Sequence, residues 1–141
     1  MKYLAYIAVI ALLVFSCTTK KDLPVVDKKT AAISDTVRIA NDSLEYEIII
    51  TDAGFGSWLA SRAYPRNYHS QQFLENKNRL YVQEYNIRAG QPQRYGELYP
   101  WTIDYRYTTN YGYEVNYLLY NYFVFFQNKY NQKLWGNVPS R

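Results

Sequence analysis

Carboxylates are the side chains in this sequence that could most directly carry out catalysis. Glu84, Asp104 and Glu114 each fall within or beside a predicted helix or strand. Hydrolysis of a glycosidic bond needs two carboxyl groups facing each other across a cleft, roughly 5 to 10 Å apart. Any two of these residues could therefore serve a small carboxylate-dependent hydrolase.

Ion pairing is the alternative role for the same three carboxylates. Glu84 precedes Arg88 by four positions, the spacing that brings opposite charges together on a helix. Asp104 lies two positions from Arg106, on one face of a strand. Glu114 would occupy the first turn of the last helix, where a negative charge is favoured.

The sequence has few residues that could support other kinds of catalysis. The chain has one histidine, His69, and one cysteine, Cys17, whereas a zinc site needs several such ligands. No nucleophile motif surrounds His69, and we interpret it as a surface or capping residue. Gly54 and Gly56 form a G-x-G without the third glycine or the lysine of nucleotide-binding loops. We predict no catalytic residue, no metal and no cofactor.

Aromatic side chains offer binding in place of catalysis. Tyrosine accounts for 17 of the 141 residues, and tyrosine combines a large apolar ring with one polar atom. One group clusters after residue 100 and consists of Trp101, Tyr105, Tyr107, Tyr111 and Tyr113. Buried, these rings would form the core against the last helix, which we favour. Exposed, they could stack on a glycan or a peptide.

The single cysteine ends a targeting segment. Lys2 is followed by an apolar run over residues 4–15 and by small Ser16, the order typical of a secretory signal. The run is shorter than the roughly 20 residues of a membrane span. Val14-Phe15-Ser16-Cys17 resembles the bacterial lipobox, although Phe15 is bulkier than usual. Residues 1–16 are therefore interpreted as a lipoprotein signal peptide, and Cys17 as the lipidated first mature residue that binds the membrane.

A spacer is predicted after the lipidated cysteine. Residues 17–35 mix lysine, aspartate and threonine with Pro24 and show no sustained periodicity, so we expect a flexible tether. By analogy with lipoprotein sorting in enterobacteria, Thr18 in place of aspartate permits transfer to the outer membrane. We predict a position there that faces the periplasm. The chain carries a net charge of +4, with lysines gathered in the tether and no basic face for nucleic acid.

Residues 36–141 are predicted to form a single globular domain. Alternating apolar residues on both sides of Asn41-Asp42-Ser43 predict a β-hairpin over 36–52, with its stronger strand at 44–51. Asp52 is a candidate cap for a short helix that ends at Pro65. Ser70 is a candidate cap for a longer amphipathic helix over 70–90.

The rest of the domain predicts one more strand and one more helix. Ile103, Tyr105 and Tyr107 alternate with polar residues, so residues 101–108 are predicted as a third strand extending the hairpin. Residues 111–135 are long and lack proline, which favours a helix buried on more than one side. The predicted fold class is α+β, a small antiparallel sheet packed by two longer helices and one short helix.

Three stretches carry a family resemblance. They are RIANDSLEYEIIITDAGFGSWL, FLENKNRLYVQEYNIR and YGYEVNYLLYNYFVFFQNKY. Together they resemble a family of short Bacteroidota lipoproteins with a domain of unknown function, the one numbered 6146. The resemblance implies a lipoprotein with one domain in a Bacteroidota cell envelope, and it transfers no catalytic residue.

Three functions fit these observations. The chain is predicted to be a lipid-anchored, non-catalytic module that contacts another protein of the cell envelope. A glycan- or peptidoglycan-binding module that uses the aromatic cluster is the first alternative. A small hydrolase that uses two of the carboxylates is the second. A concave pocket that holds Glu84, Asp104 or Glu114 with a raised pKa would favour the hydrolase.

Overall fold

The computed structural model of the chain describes residues 36–141. Two strands are followed by four helices: β1 (Thr36–Asn41), β2 (Tyr46–Thr51), α1 (Phe55–Arg62), α2 (Gln71–Ala89), α3 (Pro92–Tyr95) and α4 (Tyr113–Lys129). This arrangement confirms the α+β class. The predicted signal peptide, the lipidation of Cys17 and the tether over residues 17–35 lie outside the described residues.

The hairpin forms where the alternating pattern predicts it. β1 and β2 pair antiparallel, with Thr36 opposite Thr51 and Asn41 opposite Tyr46. The Asn41 side chain accepts a hydrogen bond from the Ser43 N–H at 3.1 Å, and Glu45 has a left-handed backbone with φ of 50°. Because residues 42–44 form a 3-10 turn, β2 begins two residues later than the predicted strand.

α2 begins at its predicted cap, whereas α1 does not. The Ser70 hydroxyl accepts the Phe73 N–H at 3.2 Å and so satisfies one free donor at the start of α2. At α1, Gly54 precedes the first helical residue with φ of 89°, and no side chain caps the helix. The prediction that Asp52 caps α1 is wrong, because Lys129 and Tyr130 donate to its carboxylate.

α4 is the centre of the domain. Every residue from Val115 to Gln127 is buried, which confirms the predicted helix surrounded on more than one side. The side-chain N–H groups of its buried amides donate to the helix's own carbonyl groups, whereas the Asn121 Oδ1 has no partner among residues 36–141. Asn121 donates to the Tyr117 carbonyl at 2.8 Å, and Gln127 donates to the Phe123 carbonyl at 3.0 Å. Because each donor bonds locally, the buried amides do not oppose packing of the aromatic side chains around them.

The predicted third strand is wrong. Residues 101–112 form no regular element in the structure. The Asn86 side chain of α2 accepts the Ile103 N–H and donates to the Ile103 carbonyl, both at 2.8 Å. The Arg106 N–H donates to the Tyr111 hydroxyl at 2.9 Å. Side chains therefore satisfy the backbone groups that a strand ladder would have used.

None of the helices within residues 36–141 combines the length and the apolar character that a membrane crossing demands.

Loss of the Asn86 contact should destabilise the domain. We expect Asn86→Ala to lower the free energy of unfolding by about 2 kcal/mol, because two backbone groups of Ile103 lose their partner. Asn76→Ala is the matched control on the same helix, since Asn76 is exposed, and it should change stability by no more than about 0.5 kcal/mol. Urea unfolding followed by circular dichroism measures both, and equal effects would contradict the role given to Asn86.

The tyrosine-rich core predicts loss of stability at alkaline pH. Burial raises the pKa of Tyr85 and of Tyr120 from the ordinary value of 10.0 to about 12. The folded state therefore retains these protons longer than the unfolded state, so stability is intact below pH 10 and falls as the pH rises toward 12. Between pH 10 and 12, Tyr85→Phe should make the decrease in the free energy of unfolding with pH less steep by about 1.4 kcal/mol per pH unit.

Urea unfolding at a series of pH values from 9 upward tests the slope, with tyrosinate absorbance recorded in parallel. Tyr107→Phe is the control, because Tyr107 is exposed and should leave the slope unchanged. A slope that Tyr85→Phe does not alter would show that another group governs the alkaline transition.

Candidate functional site

Two adjoining clefts lie beside β2. One has a volume of about 310 Å³ and the other about 430 Å³. Both are lined by Ile48, Ile49, Trp101 and Ile103, so they form one continuous depression between β2 and the segment that Asn86 holds. We call this depression the β2 trough.

The trough follows the edge of β2. Consecutive residues 48–53 all line the cleft of about 310 Å³. The side chains of a strand, however, alternate between its two faces. A depression lined by both sets must lie beside the strand's edge. Within residues 36–141, β1 is the one strand that pairs with β2, and it takes the opposite edge.

Core aromatic rings form the floor, and two apolar side chains stand at the rim. Tyr85, Tyr122 and Phe126 contribute to the lining and are themselves buried. Trp101 is 57% exposed and Ile49 is 52% exposed, although both are large and apolar. The trough therefore presents apolar surface to solvent at a place where backbone groups of a strand are also accessible.

An ion pair closes one end of the trough. Lys129 Nζ lies 2.6 Å from Asp52 Oδ1 and donates to the Ala53 carbonyl at 2.7 Å. The Tyr130 hydroxyl donates to the same carboxylate oxygen at 3.0 Å. Burial opposes the charge of Lys129, but its hydrogen bonds to Asp52 and Tyr130 raise the lysine pKa above its ordinary value. The lysine is therefore held in its charged form and in place beside Asp52.

Acidic side chains dominate the rest of the lining. Glu45, Glu47 and Asp104 line the open end, and Glu97 lines the end near Lys129. Glu47 pairs with Arg38 across the hairpin, and Asp104 pairs with Arg106 at 3.4 Å. Neither arginine lines the trough, so Lys129 is the one cationic side chain in its lining and the other charged side chains there are acidic.

The structure does not gather the five aromatic residues singled out in the sequence at one surface, although Tyr105 and Tyr111 stack with their centroids 4.9 Å apart. Trp101 lies at the rim of the trough. Tyr107 is 77% exposed and, with Tyr105, lines a different cleft against α2. Tyr111 is buried in the core, where its ring packs 4.3 Å from Tyr46. Tyr113 is half-buried, and its hydroxyl accepts the Asn67 N–H at 2.7 Å.

The three candidate carboxylates each have an arginine partner. Arg88 Nε donates to Glu84 at 2.8 Å, which confirms the predicted pairing along α2. Arg66 holds Glu114 through two donors, one of them at 2.8 Å, in the first turn of α4. Asp104 lines the trough, whereas Glu84 and Glu114 line none of the four clefts described beside residues 36–141.

His69 packs among aromatic rings. Its ring stacks on Phe73 with the centroids 4.1 Å apart and meets Tyr68 edge-on at 4.8 Å. Burial lowers the pKa of the imidazole, which favours its neutral form. Within residues 36–141, histidine and acidic side chains form no group of three that could hold a metal ion.

Sequence reasoning missed most of the trough. Asp52 and Lys129 meet across 77 positions, and no local pattern announces such a contact. Glu97 lies in a 3-10 turn over residues 96–98, and Trp101 lies in the irregular segment that Asn86 holds at Ile103. The alternation of Tyr46, Ile48 and Ile50 with the residues between them predicted β2. It does not show which edge of β2 lacks a partner strand within residues 36–141.

The fold is an α+β domain built around one buried helix, with a depression beside β2. The chain belongs to a family of unknown function, DUF6146, whose model matches residues 4–139. That match confirms the family to which the sequence was compared. No curated protein and no solved structure matches the chain.

The ion pair at the end of the trough should contribute to stability. Asp52 is 12% exposed at its side chain, and Lys129→Met would leave its carboxylate without its cation. We expect a loss of about 2 kcal/mol in the free energy of unfolding, because a largely buried charge then lacks compensation. Lys133→Met is the matched control, since Lys133 is exposed. Urea unfolding compares the two, and equal stabilities would contradict a structural role for the pair.

Proposed function

We propose that the protein is a lipid-anchored module of the bacterial cell envelope that binds another envelope protein through the β2 trough. The observation that carries the proposal is the pair of exposed apolar side chains, Ile49 and Trp101, beside an unpaired strand edge. Large apolar side chains grouped around a depression mark interaction sites more often than plain surface. The binding is proposed to be non-catalytic.

The anchor in this proposal is lipid on Cys17. A charged start, an apolar run and a small residue precede this cysteine, as a lipoprotein signal peptidase requires. Each buried methylene contributes about 0.8 kcal/mol to membrane binding, and two or more chains together hold firmly. Thr18 supports sorting to the outer membrane, with the domain facing the periplasm. A partner would then be met at the membrane surface.

The three carboxylates singled out in the sequence do not meet in one described cleft, so they give the hydrolase no support. A hydrolase of the kind considered needs two carboxyl groups that face one substrate. Glu84 and Glu114 are each held by an arginine away from the described clefts, so Asp104 has neither of them as a second carboxylate in the trough.

Glycan binding is the second candidate, and one observation favours it. Tyr107 is the most exposed of the large aromatic side chains, and its cleft has a volume of about 460 Å³. Arg79 and Gln83 line the same cleft and could donate hydrogen bonds to sugar hydroxyl groups. This cleft is distinct from the β2 trough, so the two functions can be separated by variants.

Site-specific crosslinking in native membranes tests the proposed function. A photo-crosslinking amino acid replaces Ile49, and in a matched protein it replaces Ile87, which is 48% exposed on α2. We expect one stoichiometric protein adduct from position 49 and none from position 87. Cys17→Ala should abolish lipid incorporation and the adduct together, because the partner is met at the membrane.

Two outcomes would contradict the proposal. A Cys17→Ala protein that keeps its lipid and its membrane association would remove the anchor. Equal crosslinking from positions 49 and 87, or none from either, would remove the trough as the binding site. In the second case, loss of glycan binding on Tyr107→Ala would support the alternative.

A further inference from the structure

Within residues 36–141, one edge of β2 has no partner strand. Residues 101–104 line the trough together with residues 45–49, and their sequence alternates as a strand does although they form none. Asn86 takes both backbone hydrogen bonds of Ile103. Residues 101–104 are therefore held to α2 at Ile103, and within residues 36–141 no strand other than β1 pairs with β2.

An open strand edge binds an extended peptide through backbone hydrogen bonds. Such a peptide adds as one more strand, and its alternate side chains point to opposite faces. At β2, one set of these side chains would lie over Ile48 and Ile103 in the trough. The other set would lie beside Glu47 and Ile49, which are exposed on the outer face.

Charge selects the kind of peptide. Glu45, Glu47, Asp104 and Glu97 line the trough, and the one lysine in the lining, Lys129, is already paired with Asp52. Basic side chains at alternate positions of the added strand would meet these carboxylates. Opposite charges on neighbouring strands are stabilising, and like charges are destabilising.

The same charges disfavour pairing between two copies of this chain. Two β2 edges brought together would place Glu47 of one copy near acidic residues of the other. Charged residues on an edge strand are a common means of preventing such self-association. The acidic edge therefore discriminates against a second copy and in favour of a basic partner segment.

We propose that the β2 edge binds an extended segment of a partner protein by strand addition, and that this segment alternates basic with apolar residues. The inference rests on the proposed function and gives its partner a chemical class. Backbone hydrogen bonds to β2 supply affinity. The apolar side chains of the segment pack in the trough over Ile48 and Ile103. Its basic side chains form ion pairs with Glu47 and the acidic residues near it.

Peptide binding to the purified full chain tests the inference without any membrane. The probe is a short fluorescent peptide that alternates lysine and valine. The first control replaces its central valines by proline, which keeps the charge but prevents ladder formation. The second replaces its lysines by glutamate. We expect the lysine–valine peptide to bind, and each control to bind at least about tenfold more weakly.

Hydrogen exchange locates the bound peptide. Amides of residues 46–51 should exchange more slowly with the lysine–valine peptide present, because added backbone bonds protect them. Ile49→Lys should weaken binding by about tenfold, since it places a positive charge beside the peptide's lysines. Ile87→Lys is the matched control and should leave the affinity unchanged. Trp101→Ala provides a second trough variant, and circular dichroism confirms that each variant folds.

Several results would overturn strand addition. Equal binding of the lysine–valine and proline-bearing peptides would mean that charge alone is recognised. Equal binding of the glutamate peptide would remove the proposed selectivity for basic segments, and no binding of any peptide would remove the site. If all peptides fail while position 49 still crosslinks an anchor-dependent protein, the proposed function stands and this mode of binding does not.

Discussion

Every residue of α4 from Val115 to Gln127 is buried, so the remainder of the domain has to cover this helix on all sides. A helix that is apolar around its circumference is stable in water only inside other structure. α2 packs along it, β1 and α1 pack against it, and the segment after it returns to contribute Leu134 to the core. Burial of α4 therefore determines where the surrounding segments lie. Residues 101–112 are one example, since they form no strand although their sequence alternates as a strand does.

Tyrosine suits this requirement because one side chain can cover the helix and also bind backbone. The Tyr117 hydroxyl donates to the Tyr64 carbonyl at 2.7 Å, and the Tyr111 hydroxyl accepts the Arg106 N–H. Irregular segments near a core must find partners for their N–H and C=O groups. Long side chains with polar tips supply those partners, so the loops around α4 remain ordered without being strands.

Local patterns and distant contacts account for what could be predicted from the sequence. The hairpin, the Ser70 cap and the burial of α4 follow from residues that are neighbours in sequence. The path of residues 101–112 does not, because Ile103 and Tyr105 alternate as a strand would while Asn86, 17 positions from Ile103, holds the backbone. The contacts of Asp52 could likewise not be predicted from the sequence, because its partner Lys129 lies at the far end of α4.

The edge of β2 that lacks a partner strand within residues 36–141 lies beside the segment that Asn86 holds at Ile103. An exposed strand edge invites uncontrolled pairing, and proteins usually cover it or guard it with charge. In the proposed strand addition, the charge at this edge favours a basic partner segment. Glu45, Glu47 and Asp104 line the trough beside this edge, and Arg38 and Arg106, which pair with two of them, lie outside its lining. Ile49 and Trp101 nevertheless remain exposed beside it. A surface meant only to repel would have no use for two large apolar side chains at its centre, whereas a surface that admits one class of partner needs both features.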